Sequence, residues 1–428
     1  MNKPRFVISC PFDTYSGYGA RSRDIVKAII KTNKYKVELL SQKWGETSWG
    51  FCKENPEWAF LIQHLAKPDW NQVEKPDIWM QITIPNEFQP IGKFNIGCTA
   101  GIESTACKGE WVEGLNRMDM NWVSSNHAKK VFESSRFDKI DKRTNKSTGQ
   151  SIVLNKPIEV IFEGVNLDIY KPLKTNELKT FDLSDIKESF CYLFVGHWMQ
   201  GDFGHDRKNV GVTIKYFFDA FKNTKTPPAL ILKASTGRNS YIGREALLDK
   251  IKVIKNSYKK TDKLPNVYLL NGNLSDTQMN ELYNHPKVKA MVSLTKGEGY
   301  GRPLAEFCLS KKPLIVTSWS GHMDFIDPNN CVVLPGKLEN VHASAANKWL
   351  LKETQWFQVG SKNAIDAFKD VKSKYKNYIT GGKKQGFKIK SEFDFESMKK
   401  LVSKTLEIIP DFPKQIKLNL PDLQTPKL

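Results

Sequence analysis

The chain has no apolar run approaching the roughly 20 residues that cross a bilayer. It also has no Cys-x-x-Cys pair, no His/Cys cluster at metal-ligand spacing and no Asp-x-Asp between its strands. These absences argue against a helical membrane span, a zinc module and a carboxylate metal clamp, so no metal is expected. Seven cysteines stand singly at 10, 52, 98, 107, 191, 308 and 331. An odd, scattered set does not make a disulfide framework, and buried reduced thiols are expected. Met1 to Ser9 runs straight into a strand without the apolar core of a signal peptide, so a cytoplasmic location is expected. No internal repeat is present.

Negative charge is the other shortage. Against 65 Lys and Arg stand 46 Asp and Glu, a formal charge of +19 that favours a polyanionic partner such as nucleic acid, an acidic lipid surface or a phosphorylated glycan. The excess is uneven: residues 1–172 hold 24 basic and 20 acidic residues, a net +4, which leaves +15 for residues 173–428. Part of it lies in 362–390, where lysines alternate with Tyr375, Tyr378 and Phe387. A solvated helix face is the simpler reading of that segment, and a binding patch the sharper one.

What is present is ample for folding: 428 residues, 40% hydrophobic and 11% aromatic, suit two ordinary domains. Phe6 to Cys10 reads as a strand, Pro11 to Gly19 as a glycine-containing loop and Ala20 to Ile30 as a helix. Val37 to Leu40, Ile78 to Ile84, Asn95 to Thr99, Asn121 to Ser125 and a segment from Ile158 continue the strand series. Arg136 to Ser151, rich in polar residues, reads as an exposed loop. Phe190 to Val195, Ala229 to Ala234, Val267 to Leu270 and Val288 to Leu294 read as strands of a second unit, with a helix from Val210 to Phe221. Phe395 to Ile408 has the pattern of an amphipathic helix, and the proline-containing tail beyond Pro410 is expected to lack a fold of its own. Strands alternating with helices predict an α/β protein with ligands beyond the carboxyl ends of its strands.

The richest segment is Lys296-Gly-Glu298-Gly-Tyr-Gly-Arg-Pro-Leu-Ala-Glu306, which sets two carboxylates eight residues apart across a glycine-rich turn. It follows an apolar strand and runs into a helix with Pro303 near its start. Glycines let the backbone approach a ligand closely, and two acceptor-only side chains beside free N–H groups suit a molecule carrying hydroxyls and phosphate. A nucleotide sugar is such a molecule.

Glu298 to Glu306 resembles the E-x7-E motif of retaining nucleotide-sugar glycosyltransferases of the GT-B type, family 4. Leu309 to Ser318 is similar to the turn and strand that follow it, Ser320 to Asp324 to the next glycine turn, and Val267 to Ser275 to the base-holding strand and loop. The Pro11 to Arg23 stretch resembles bacteriophage-encoded members. The resemblance implies a GT-B fold of two Rossmann-like doubly wound domains facing a central cleft. An acceptor-side domain would span 1–172, a nucleotide-sugar domain with a crossing-back helix 173–408, and a tail 409–428.

It further implies that Glu298 holds sugar hydroxyls and Glu306 the donor ribose, with the N–H groups of Gly299, Tyr300 and Gly301 beside them. Asn271, Gly272 and Leu274 belong to the base-binding loop. Lys208 matches the family lysine that meets the diphosphate. Arg207 stands in for an arginine whose usual place, after Val195-Gly196, is taken by His197. Gly17 and Gly19 would let the first loop approach the donor or the acceptor, and Arg21 and Arg23 would add charge or lie exposed on the helix surface. Glu103, or Asn86-Glu87, is an acceptor-side candidate; Glu103 would orient or deprotonate the acceptor hydroxyl or cap a helix. His127 reads as structural, and His322 as facing the phosphates or shaping a turn.

The expected activity is transfer of a hexosyl or pentosyl group from a nucleoside-diphosphate sugar, a UDP-sugar first, with no bound cofactor. The expected acceptor is a hydroxymethylated pyrimidine in double-stranded phage DNA. The alternatives are a surface glycan such as lipopolysaccharide, reached at an anionic membrane surface, and a non-catalytic module that binds nucleotide or nucleic acid. No obligate protein partner is implied.

Overall fold

The computed structural model describes residues 3–70, 74–141, 143–180, 182–237 and 240–412. Two six-stranded parallel sheets carry it, each built from short apolar runs that helices cover on both faces, as parallel sheets require.

The first sheet uses β1 (Arg5–Cys10), β2 (Lys36–Ser41), β3 (Ile78–Ile82), β4 (Phe94–Cys98), β5 (Met120–Val123) and, after a hairpin of β6 (Phe137–Asp141) and β7 (Lys146–Ile152), β8 (Ile158–Val160). Its order is β2-β1-β3-β4-β5-β8. Helices α1 (Gly17–Lys31), α2 (Phe51–Glu54), α3 (Gly109–Asn116) and α4 (Asn126–Ser134) connect them. Ser16 starts α1 by accepting from Gly19 N, and Ser125 starts α4 by accepting from Ala128 N, as N-cap serines do.

The second sheet has the order β11-β10-β9-β12-β13-β14. Its strands are β9 (Cys191–His197), β10 (Ala229–Ser235), β11 (Val267–Leu270), β12 (Val288–Ser293), β13 (Leu314–Thr317) and β14 (Val332–Leu334). An antiparallel pair, β15 (Gly336–Asn340) and β16 (Gln355–Val359), follows. The helices are α5 (Val210–Phe221), α6 (Tyr241–Asn256), α7 (Asp276–Asn284), α8 (Arg302–Cys308), α9 (Ser361–Ser373), α10 (Tyr375–Glu392) and α11 (Phe395–Leu406).

In both sheets the strand order reverses once, between β1 and β3 and between β9 and β12. Such switch points open a crevice at the carboxyl ends of the strands. In the second sheet the flanking loops are therefore 198–209 after β9 and 294–301 after β12. The chain returns at its end: α11 packs on α1, and Phe395, Met398, Val402 and Leu406 complete the apolar core beneath the first sheet.

One expectation is corrected. Residues 137–152 are not a loop but the antiparallel β6–β7 hairpin. Most of its strand residues are exposed, so polarity hides a ribbon held by the Phe137–Ile152 pair and turned at Asn145, whose φ is 51°. Arg21 and Arg23 are likewise not exposed. Arg21 donates to Ile161 O at 2.9 Å, and Arg23 to Phe12 O and Thr14 O, its guanidinium lying 3.4 Å from the Phe51 ring centre. All seven cysteines are free, and six are buried. No helix among the described residues is long and apolar enough to cross a membrane. The tail from 413 onward lies outside the described residues.

Candidate active site

The glycine-rich segment leaves β12 at the switch point and is fixed at both ends by backbone contacts. Lys296 N donates to Arg207 O at 2.8 Å and Phe357 N to Lys296 O at 2.8 Å. Glu298 N donates to Ser320 Oγ and Gly321 N to Glu298 O, both at 2.9 Å. Gly301 then turns the chain into α8 at a φ of 97°, a conformation that disfavours any side chain.

Opposite lies the loop after β9. Asp206 accepts from Val210 N at 3.0 Å and so starts α5, which leaves Arg207 and Lys208 at the mouth of the crevice. Lys208 Nζ donates to both oxygens of Glu298, at 2.5 and 2.7 Å. Arg207 Nη1 donates to Gly297 O at 2.8 Å, stands 3.4 Å from Glu298 and reaches Glu103 of the first-sheet half at 3.6 Å. Four of the residues singled out in the sequence therefore meet: Glu103, Arg207, Lys208 and Glu298.

Electrostatics follow from that meeting. Burial alone would raise the Glu298 carboxyl, but Lys208 and Arg207 outweigh it and hold the group at about 2. The Lys208 ammonium is lowered by burial, against the pull of Glu298. Burial would also lower Arg207, but Glu103 and Glu298 outweigh it and raise it. Desolvation, then the neighbouring Lys208 and Arg207, lower the His197 imidazole, although the residue is exposed at the end of β9; its Nδ1 lies 2.8 Å from Ser235 Oγ.

Glu306 sits elsewhere, one helical turn into α8 and buried. It accepts from Arg302 Nε at 2.8 Å and from Tyr283 OH at 3.2 Å. Burial pushes its carboxyl up to about 7, and Asp276 adds to the rise while Arg302 opposes it. Arg302 itself is held by Asp24, Glu306 and Glu163, which keep it charged despite burial. The two motif carboxylates thus have opposite characters: cations hold one well below the ordinary carboxylate range, and burial raises the other above it.

Of the other candidates, Asn271 donates to Ala234 O at 2.9 Å, and Gly272, its φ 129°, faces open space while its carbonyl accepts from Lys233 at 2.6 Å. Leu274 packs into the apolar cluster beside α7. The Tyr300 ring is buried against Phe325, so this residue offers its backbone and not its hydroxyl. Gly19 answers a packing need, since a Cβ there would lie 2.4 Å from Thr14 O, whereas Gly17 borders open space. Glu87 accepts from Thr83 at 2.5 Å, outside the cluster. The His127 ring packs on Trp319, and buried His322 lies 2.7 Å by Nε2 from Thr317 O, so both stand in structural settings. Two surface hollows, of about 530 and 390 Å³, lie elsewhere, between β14 and α9 and between α3 and β7. Neither adjoins the chemistry.

Sequence reasoning missed the contacts that join the two halves across the crevice. Asp24 of α1 accepts from Arg302, and Ser124 donates to Gly299 O at 3.0 Å. Asn126 N donates to Asp324 at 2.7 Å. A Cβ on Gly297 would lie 1.9 Å from Glu103 O, and one on Gly299 2.6 Å from Ala100 O. Only Arg302 left a trace in the sequence, as an i,i+4 partner of Glu306.

No protein-family model matches the chain, and no curated protein matches it in sequence. Its likeness to known proteins is one of shape. A glycosyltransferase from Rickettsia africae is 16% identical, with a TM-score of 0.60 over 96% of this chain and 98% of that one. Sucrose-phosphate synthase from Thermosynechococcus elongatus is 12% identical, with a TM-score of 0.61 over 95% and 98%. The Anabaena protein HepE, solved in complex with UDP-glucose, is 11% identical with a TM-score of 0.57 over 94% and 99%. Identities this low speak for architecture alone, and the architecture they share with this chain, two parallel sheets across a crevice, is the GT-B fold.

Proposed function

We propose that the chain is a glycosyltransferase that moves a sugar from a nucleoside-diphosphate sugar to an acceptor hydroxyl with retention of configuration. The observation that carries this reading is the meeting of Lys208 and Arg207 with Glu298 at the switch point of the second sheet. Departure of a nucleoside diphosphate builds negative charge, and two cations at a crevice mouth answer it. In this reading Lys208 and Arg207 face the diphosphate, Glu298 holds sugar hydroxyls and Glu306 the ribose. The acceptor oxygen bonds to the anomeric carbon on the face from which the phosphate oxygen leaves, and the acceptor proton passes to that phosphate. Glu103, which pairs with Arg207 at 3.6 Å from the first-sheet half, is the side chain this reading assigns to orienting the acceptor. A UDP-sugar is the donor to try first, since the similar Anabaena protein was solved with UDP-glucose.

For the acceptor, hydroxymethylated pyrimidine in duplex DNA and a surface glycan are the two readings. The placement of charge favours the glycan. Lys376, Lys383, Lys384 and Lys390 share one exposed face of α10 with Phe387, which is 70% exposed. That helix packs by Gly386 against Cys308, the end of α8 away from the glycine loop. A lysine face with a protruding aromatic ring, outside the crevice, suits the anionic headgroups of a membrane more than a duplex threaded into the site.

The test is release of nucleoside diphosphate from a panel of nucleotide sugars, with and without hydroxymethylcytosine-containing DNA. Release that disappears in Glu298→Gln supports the enzyme class. Stimulation by that DNA would select the DNA reading, and no release from any donor would leave the non-catalytic alternative.

A further inference from the structure

We infer that residues 42–50, with the rings of Trp44, Trp49 and Tyr18, form an acceptor subsite that holds a neutral sugar ring by stacking. The inference deepens the transferase reading and rests on it. This loop follows β2 and so emerges at the carboxyl end of the first sheet, on the crevice side.

Backbone bonds clamp it to the loop after β1. Tyr15 N donates to Ser48 O and Gly50 N to Asp13 O, both at 3.0 Å, and Thr14 bridges Trp49. Trp44 lies flat on Tyr18, ring centres 3.7 Å apart and planes 20° from parallel. Tyr18 OH lies 2.8 Å from Thr99 Oγ1 and accepts from Ala100 N at 3.1 Å. The carbonyl of Ala100 is the group against which Gly299 packs. The Trp44–Tyr18 stack is therefore linked through Ala100 to the edge of the glycine loop.

Three features select the ligand. The side chain of Trp49 protrudes, 42% exposed, whereas six of the eleven tryptophans are buried. Neither Trp44 nor Trp49 spends its indole N–H on a partner among the described residues, so both can donate to a hydroxyl. Within residues 42–55 the charges, Lys43, Glu46, Lys53 and Glu54, balance. Flat apolar rings with a polar edge match the C–H face and peripheral hydroxyls of a pyranose. A nucleic-acid backbone would call for uncompensated cations, which this rim does not supply.

The test uses the full chain without donor. Calorimetric titrations with the hexamers of α-1,4-glucan, β-1,4-glucan and chitin should show millimolar or tighter binding of at least one. Trp44→Ala and Trp49→Ala, checked by thermal melting, should weaken it at least tenfold, and Trp49→Phe should recover part of the loss. Donor hydrolysis without acceptor, run in parallel, reads the catalytic proposal by itself. Sugar binding through Trp44 in a chain that hydrolyses no donor would support the subsite while the transferase reading fails. No sugar binding, or binding indifferent to both alanine substitutions in folded protein, would overturn the subsite. Binding of single-stranded or duplex DNA that is lost in the same variants would overturn the assignment to sugar.

Discussion

Arg302 Nη1 donates to Asp24 at 2.5 Å while its Nε donates to Glu306 at 2.8 Å, so one guanidinium ties α1 of the first-sheet half to the second carboxylate of the glycine-loop motif. Asp24 is buried and Arg302 nearly so. Breaking such a pair leaves an uncompensated charge in a dry place and costs on the order of 3–5 kcal/mol. Arg302→Leu should lower stability by about that amount in urea titrations. Asp24→Asn should cost less, because Glu306 and Glu163 still face the guanidinium. In a double-mutant cycle the two should couple by more than about 1 kcal/mol; simple additivity would show that the bond carries no joint energy.

Lys208→Ala removes the closer of the two cations beside Glu298. If that cation meets the departing diphosphate, nucleoside-diphosphate release should fall by about 10²–10³-fold, the scale of losing one preorganised charge-stabilising donor. Lys208→Arg should recover part of the rate. Equal rates for wild type and Lys208→Ala would remove the lysine from the mechanism.

Glu306 offers a pH signature. With its folded value near 7, against the ordinary carboxylate range, the folded chain keeps a proton between about pH 4.5 and 7 that the unfolded chain has released. Its contribution to stability therefore falls as pH rises through that window and levels off above it, by about 3 kcal/mol in all. Glu306→Gln should flatten this part of the stability profile relative to wild type. Parallel profiles for the two proteins would place the carboxyl at its ordinary value.

Charge reversal at Lys383 and Lys384, combined with Phe387→Ser, tests the outer face of α10. Wild type should sediment with phosphatidylglycerol vesicles at low salt and be released as salt rises, since surface attraction is screened within about a Debye length. The triple variant should stay in the supernatant. Equal sedimentation of both would assign those lysines to solvation alone.

The sequence made much of the fold legible because strands buried on both faces read as short apolar runs. Val210–Phe221 and Val267–Leu270 have the bounds their patterns predict. The β6–β7 ribbon escaped because a hairpin that buries little carries no apolar alternation. In the site, Lys208 and Glu298 were legible from motif residues, and Arg207 from its neighbour. The burial of Arg21 and Arg23 was not, since helix periodicity says which face is inward but not that backbone carbonyls wait there for a guanidinium. Asp24 and Ser124 stayed silent for a related reason: they act on partners more than 170 residues away, and nothing local marks them.

The close approach of Gly297 to Glu103, and of Gly299 to Ala100, makes the missing carbons a mechanical part. Where a methyl group would sit, the opposite main chain already lies at 1.9 and 2.6 Å. Alanine at either position is thus a doorstop: it alters no charge and no hydrogen-bonding group, yet the halves cannot shut fully around it. Small-angle scattering on such a protein would report how far the jaws swing when nothing but their last ångström is denied.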